Sequence, residues 1–380
     1  MQTYTCFFNE NKWQNLLTVP PSSSDYQLLL VFADRYLLED KSHIATLKEC
    51  FPKATIVSCS TSGEIYGRQV FDNSIVAVAI HFEKTTLQFA MANIASFENS
   101  HLLGKNIAGQ LHKEGLKYAL IISNGGKVNG SELVNAINET LGENVIVTGG
   151  LAGDGARFEK TLVGMNENIN EGKVVLIGFY GDNIKIGYGI NGGWEVFGPE
   201  RVITKSSQNV LYEIDHQNAL ELYKKYLGKY ASELPGAALL FPLAIKTNEE
   251  DNSTVVRTIL TIDEEKQTMT FAGNVPEGAG VRLMKSNFDK LIFSAGEAAG
   301  LANGLMNNIP PQFVLLISCV GRKLVLSKRT EEEVEAAADI FSSNPAIAGF
   351  YSYGEISPMR KDSSCELHNQ TMTITTFAEY

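Results

Sequence analysis

One stretch constrains this chain more than any other: Ile56-Val57-Ser58-Cys59-Ser60-Thr61-Ser62-Gly63-Glu64-Ile65. Its apolar, β-branched start reads as a buried strand. The small hydroxyl and thiol residues after it read as the loop at that strand's C-terminal end. In sheets with helices on their faces, ligands bind at that end. A variant recurs later as Gly349-Phe350-Tyr351-Ser352-Tyr353-Gly354-Glu355-Ile356. Two such loops predict two related halves whose strand ends face one pocket. The plain alternative is that Gly-Glu turns recur by chance.

The 380 residues suffice for two domains. With 44% apolar and 20% charged residues the chain is of ordinary globular type. A net charge of -11 argues against a nucleic-acid surface, which needs clustered Lys and Arg. Met1-Gln2-Thr3-Tyr4-Thr5-Cys6 has neither a basic start nor an apolar run, so no leader is expected. No stretch is long enough to span a membrane. Cysteines 6, 50, 59, 319 and 365 are odd in number and widely spaced, unlike a disulfide framework or a zinc site. A cytoplasmic protein with reduced thiols is expected.

Along the chain, Tyr26–Ala33 reads as a buried strand and residues 38–51 as a helix. Ser74–Phe82 and Thr86–Ala92 read as strands joined in a hairpin by Glu83-Lys84. A helix over 98–114 precedes strand Tyr118–Ser123, and Ser131 fits the N-cap of a helix over 132–141. Strand Val145–Thr148 runs into Gly149-Gly150-Leu151-Ala152-Gly153-Asp154-Gly155. That loop has the wrong spacing for a dinucleotide fingerprint. A strand-rich run over 161–210 and a helix over 218–226 follow. A boundary near residue 212 divides the chain into 1–212 and 213–380.

The second part opens with a strand-rich run over 237–284. A long helix over 286–306 ends before Pro310-Pro311, which cannot continue it. Strand Phe313–Ser318 delivers Cys319-Val320-Gly321-Arg322. Thr330 reads as the cap of a helix to residue 341, with Glu331, Glu332 and Glu333 in its first turn. Strand Ile347–Tyr351 delivers the second Gly-Glu loop, and Thr371–Phe377 alternates as a last strand. The expected fold is α/β to α+β, two lobes of mixed β-sheet covered by helices.

These motifs, in this order, resemble the FIST proteins, sensory modules with a FIST N and a FIST C domain. The N-terminal resemblance rests on Cys59–Ile65 and Gly149–Gly155. The C-terminal one rests on Glu221-Leu222-Tyr223, Tyr226-Leu227-Gly228, Val275-Pro276-Glu277-Gly278, Ser318–Arg322, Gly349–Ile356 and His368-Asn369-Gln370-Thr371. The resemblance implies sensing of a small ligand, with amino acids proposed, and places residues 1–212 and 213–380 as the two FIST domains. A branch of similar proteins binds haem, senses nitric oxide, and acts on histidine kinases and cyclic-di-nucleotide signalling. Others occur beside chemotaxis components. The resemblance supplies no catalytic residues. No kinase, cyclase or methyl-accepting segment is read in these residues, so the output is expected to pass to a separate protein.

The candidate ligand residues each carry a plainer alternative. Glu64 and Glu355 suit a ligand ammonium, or a shared proton if they lie close; they equally suit capping of loop N–H groups. Ser60, Thr61 and Ser62 offer hydroxyls to an anion, or satisfy their own turn. Cys59 shares that loop. Asp154 suits an Asx-turn better than ligand contact. Arg322 is a candidate clamp for a ligand carboxylate, whereas Cys319 suits a small buried residue better than a nucleophile. Tyr351 and Tyr353 alternate on a strand end and are expected to point the same way, into a pocket wall or the core. Histidines 43, 81, 101, 112, 216 and 368 have no metal-ligand spacing. Haem needs one axial ligand, so it stays open as a non-covalent cofactor. His368 and Asn369 fall in the matched C-terminal motif and are expected to support the pocket. The reading is a cytoplasmic small-ligand sensor that signals to a separate partner. Its alternatives are a haem-based nitric-oxide sensor, or an enzyme using Cys319 or the two glutamates.

Overall fold

The long apolar runs of this chain are strands buried on both faces, which is why they show little alternation. Leu28, Leu30 and Phe32 enter one apolar cluster, while Leu29, Val31 and Ala33 enter another beneath a helix. Tyr118, Leu120 and Ile122 enter the same central cluster, with Ala119 and Ile121 facing outward. Phe313, Leu315 and Ile317 do likewise, with Val314 and Leu316 outward. Three segments far apart in sequence therefore share one interior. Each large apolar side chain sealed there contributes about 1.5–3 kcal/mol. The computed structural model that shows this describes residues 1–16, 25–142, 144–234, 236–246, 254–285 and 287–380.

The chain is a mixed α/β fold, and its core is built three times over. Unit one has core strands Gln2–Asn9, Leu28–Ala33, Thr55–Ser60, Glu64–Tyr66 and Ile75–His81. Unit two has Thr86–Asn93, Leu116–Ser123, Ile146–Leu151, Val163–Met165 and Lys173–Tyr180. Unit three has Ile184–Asn191, Phe313–Cys319, Ala346–Ser352, Gly354–Pro358 and Met372–Glu379. In every unit the second and third strands are parallel. The fifth lies antiparallel beside the second, and the first beside the fifth. Helices joining the parallel strands, such as Lys41–Cys50, Gly130–Leu141 and Thr330–Ala338, cover the outer faces.

The fourth strand of each unit leaves home. Glu64–Tyr66 pairs with Ala346–Ser352 of unit three. Gly354–Pro358 pairs with Ile146–Leu151 of unit two. Val163–Met165 pairs with Thr55–Ser60 of unit one. The exchange closes on itself, so each of three sheets holds strands from two units. The described residues of 195–285, between the first and second strands of unit three, form a separate lobe with its own eight-stranded sheet and apolar core. Among the described residues no helix is long and apolar enough to cross a membrane.

Several sequence expectations change. Residues 75–81 and 86–93 do not form a hairpin; they belong to different sheets, because the second strand opens a new unit. The Glu83, Lys84 and Thr85 N–H groups donate instead to the Glu379 carboxylate. The cap of helix Gly130–Leu141 is Asn129, whose side chain accepts from Ser131 and Glu132 N–H, not Ser131. Thr330 begins its helix without capping it and donates backward to Ser327 O. Residue 212 falls inside strand Val210–Ile214, and the sheets draw strands from both sides of it. Where the sequence shows two copies of the loop, the fold has three, the third being Gly153-Asp154. Part of the expected β run, residues 247–253, and residue 286 of the expected long helix lie outside the described residues.

Candidate ligand site

The third strands of the three units end together, each in a Gly-acid pair: Gly63-Glu64, Gly153-Asp154 and Gly354-Glu355. Backbone bonds tie the ends to one another. Ser62 N donates to Tyr351 O at 2.8 Å, Tyr353 N to Leu151 O at 3.1 Å, and Gly153 N to Ser60 O at 2.9 Å. Ser60 Oγ adds a 2.7 Å bond to Gly153 O, and Ser62 Oγ a 3.1 Å bond to Gly155 O. The approach is close enough to require glycine. A Cβ on Gly153 would lie 2.3 Å from Ser62 Oγ. Gly63 sits at φ +130, a conformation open to glycine.

The two glutamates are brought to the same end of the molecule, but each is bonded within its own unit. Thr61 Oγ1 bonds Glu64 Oε1, while Ser74 N and Oγ donate to Oε2 at 3.1 and 2.7 Å. Ser352 Oγ bonds Glu355 Oε1 at 2.5 Å, and Thr371 N and Oγ1 donate to Oε2 at 3.1 and 2.9 Å. Complete burial pushes both carboxyl groups up to about 8, against the pull of these bonds. Thr61 Oγ1 also lies 3.3 Å from Ala33 O, so it can accept a hydrogen bond from the protonated Glu64 carboxyl while donating its own to Ala33 O. The third acid differs. Asp154 is held by Arg157 Nε at 2.8 Å and Nη2 at 2.7 Å, and by Glu159 and Lys160 N–H. Arg35 Nε completes an ion pair at 3.0 Å without hydrogen-bond alignment.

The three junctions between units are thus finished differently. Arginines fill the one at Asp154. Buried polar residues His368, Asn369 and Gln370 lie by the one at Glu355. Beside Ser62 a cavity of about 410 Å³ stays open, lined by Ser62, Asp72, Gly155, Lys323, Leu324 and Lys328 among others. Lys323 Nζ donates to Ser62 O at 2.9 Å, pairs with Asp72, and lies 5.5 Å from the centre of the Tyr351 ring. A cation, a carboxylate and a backbone carbonyl therefore share one wall. Lys323 and Asp72 went unnoticed in the sequence. Lys323 follows Arg322 directly, but a helix turns about 100° per residue, so the neighbours face different surroundings.

Arg322 is fully buried. Its guanidinium bonds Glu333 at 2.9 and 2.7 Å, Gly192 O at 2.6 Å and Leu291 O at 2.7 Å, with Ser294 Oγ at 3.4 Å. Its donors are occupied internally, so a carboxylate clamp there would have to break this network. Tyr351 and Tyr353 do not point the same way. The strand ends at Ser352, and the two-residue period lapses with it. Tyr351 OH bonds Glu333 at 2.8 Å, whereas Tyr353 stacks on Phe158 at 4.7 Å and donates to Gly155 O at 3.2 Å. Cys59 is sealed in the central cluster, where burial pushes its thiol up. Asn369 Nδ2 lies 3.4 Å from Tyr353 O.

His368 shares a 3.0 Å bond with Ser357 O, and burial lowers its pKa to about 4. Haem takes His, Cys, Met or Tyr as an axial ligand. None of these types lines the open cavity, so its residues do not fit that group. Among the described residues no cluster of His, Cys, Asp and Glu could hold a metal ion.

The triplicated α/β core carries a small charged cavity at its joined strand ends, the form of a binding module. The FIST N domain model matches residues 27–217 and the FIST C domain model residues 219–358, so the chain belongs to the FIST family. FIST domains are sensor domains of signal-transduction proteins and bind small ligands. No curated protein matches the chain. Among solved structures it is similar to the cyanuric acid hydrolase from A. caulinodans, at 5% identity and a TM-score of 0.39, covering 100% of this chain and 99% of that one. A second cyanuric acid hydrolase structure shows 8% identity and a TM-score of 0.35 over 100% and 99%.

Proposed function

We propose that this chain is a sensor that takes a free amino acid in the cavity between Ser62 and Lys323 and signals to a separate protein, such as a histidine kinase or a chemotaxis component. The Lys323–Asp72 ion pair carries the proposal. A zwitterion offers the same two charges in reverse. Its carboxylate takes Asp72's place at Lys323, and its ammonium meets the freed Asp72 and Ser62 O. The pair is half-open: the Asp72 side chain is 65% exposed and that of Lys323 16%. Exchange therefore costs little of what a buried pair would cost. A non-catalytic role fits the candidate nucleophile. The Cys319 thiol is buried beside Glu355 and pushed well above its ordinary value by burial, and neither group lines the cavity.

The test is thermal unfolding with each proteinogenic L-amino acid in turn, followed by calorimetry on those that stabilise. A true ligand at a hundred times its Kd adds about 2.7 kcal/mol. Lys323→Met should cut that gain by half or more. If no amino acid raises the midpoint, the amino-acid reading fails. If Lys323→Met leaves the gain intact, the placement fails.

A further inference from the structure

We propose that the helix Val320–Leu326 carries the state of the Ser62–Lys323 cavity to the inserted lobe, which is the part of the molecule that responds. The inference rests on the cavity being the sensing site. It does not depend on which ligand fills it.

The helix has two working faces. Val320, Lys323 and Leu324 line the cavity, and Ser327, just past its end, closes the rim. On the other side, Arg322 reaches both chain segments that join the lobe to the core. Its Nη1 donates to Gly192 O on the way in, and its Nη2 to Leu291 O on the way out. Val325 and Leu326 pack on Leu291, with Trp194, Ile292 and the lobe's Leu240 against them. A ligand that draws Lys323 off Ser62 O therefore pushes on a short helix whose preceding residue, Arg322, grips both linkers.

The lobe is fastened loosely elsewhere. Its apolar core is its own. Among the described residues, the cluster around Val325 and Leu326 is the apolar one that spans lobe and core. Other ties between them are polar, among them the Lys290–Glu195 ion pair. Arg257 Nη1 donates to Leu367 O, Asn274 bonds Asn129, Glu132 and Ser131, and Gln370 Nε2 donates to Leu239 O. Polar interfaces of this kind permit relative motion of domains. The linker itself turns at Gly193, φ +67, where a Cβ would lie 2.5 Å from Lys290 O. At the helix end Ser327 holds φ +50, a strained conformation for serine, pinned by Thr330 Oγ1 on its carbonyl at 2.5 Å. The helix position is thus set by its neighbours on both sides, as a transmitting element requires.

The test uses a tethered probe, so it succeeds or fails independently of the amino-acid reading. Leu324→Cys places a thiol at the half-exposed cavity wall, in a Cys50→Ser background, since the other native thiols are buried. Reaction with 2-sulfonatoethyl methanethiosulfonate then sets a sulfonate beside Lys323. Hydrogen exchange is read at Ser62–Glu64, Gly192–Trp194 and Phe288–Leu291. Labelling should change exchange at both linkers by at least about fivefold, the low end of ordinary coupling. Val325→Ala and Arg322→Lys should each reduce the linker response below about twofold while the Ser62–Glu64 response persists. Linkers that do not respond, or a linker response undiminished in folded Val325→Ala protein, would overturn the proposal.

Discussion

Replacing Glu64 by glutamine should stabilise this protein at alkaline pH and leave it unchanged in mild acid. In the folded chain burial raises the Glu64 carboxyl from 4.5 to about 8, whereas in the unfolded chain it ionises near about 4.3. Between those values the native state holds a proton that the unfolded state has released. Stability is then complete below the unfolded value and lost as pH rises through the folded one, by about 1.4 kcal/mol per pH unit and group. Over the whole window that amounts to about 5 kcal/mol at most. Glutamine removes the titration and keeps the bonds. Its Oε1 accepts from Ser74 N and Oγ, and its Nε2 donates to Thr61 Oγ1, which turns to Ala33 O. Urea midpoints from about pH 5 to about pH 9 should therefore fall less steeply for Glu64→Gln than for the parent. Glu355→Gln should behave alike, and the double variant should be additive to within about 0.5 kcal/mol, because each carboxyl is bonded in its own unit. Equal slopes in parent and Glu64→Gln would show that Glu64 is ionised at neutrality and would refute the reasoning.

Arg322→Met leaves Glu333 as a buried unpaired carboxylate and should cost about 3–5 kcal/mol in chemical unfolding; a loss under about 1 kcal/mol would mean that the network is not structural. Lys323→Met should weaken binding of a stabilising amino acid by about 1.5–3 kcal/mol in calorimetry without lowering the ligand-free midpoint by more than a surface change does. Asn129→Ala removes the cap of helix Gly130–Leu141 and should lower stability by about 1–2 kcal/mol, read from the urea midpoint. Gly153→Ala drives a methyl into Ser62 and should destabilise by about 1–3 kcal/mol, with a parallel loss of amino-acid binding in the same calorimeter.

Local chemistry was legible in the sequence wherever the partner lay close by. The strands at 28–33, 116–123 and 313–319 announce themselves because burial on both faces leaves unbroken apolar runs. The Gly-Glu loops stand out because their hydroxyls and carboxyls bond three residues apart, as Thr61–Glu64 and Ser352–Glu355 do. The third copy, at Gly153-Asp154, hides because Leu151 replaces the hydroxyl and arginines replace its role. The false hairpin at Glu83-Lys84 shows the opposite limit. A short polar turn between two strands looks local, yet its N–H groups are claimed by Glu379, nearly three hundred positions away. Arg322 misleads for the same reason. Its side chain suits a ligand carboxylate and an internal one equally, and nothing nearby in the chain reveals that Glu333, Gly192 and Leu291 already surround it.

The exchanged fourth strands also set a timetable for synthesis. The first unit to leave the ribosome exposes the outer edge of Thr55–Ser60 until Val163–Met165 is made. Its own Glu64–Tyr66 has no sheet to join until Ala346–Ser352 emerges. Open edges of this kind pair readily with other chains, and contacts so distant in sequence form slowly. Nascent chains should therefore depend on holding chaperones until near the end of translation. Messages truncated before codon 346 should yield insoluble fragments rather than a folded amino-terminal half.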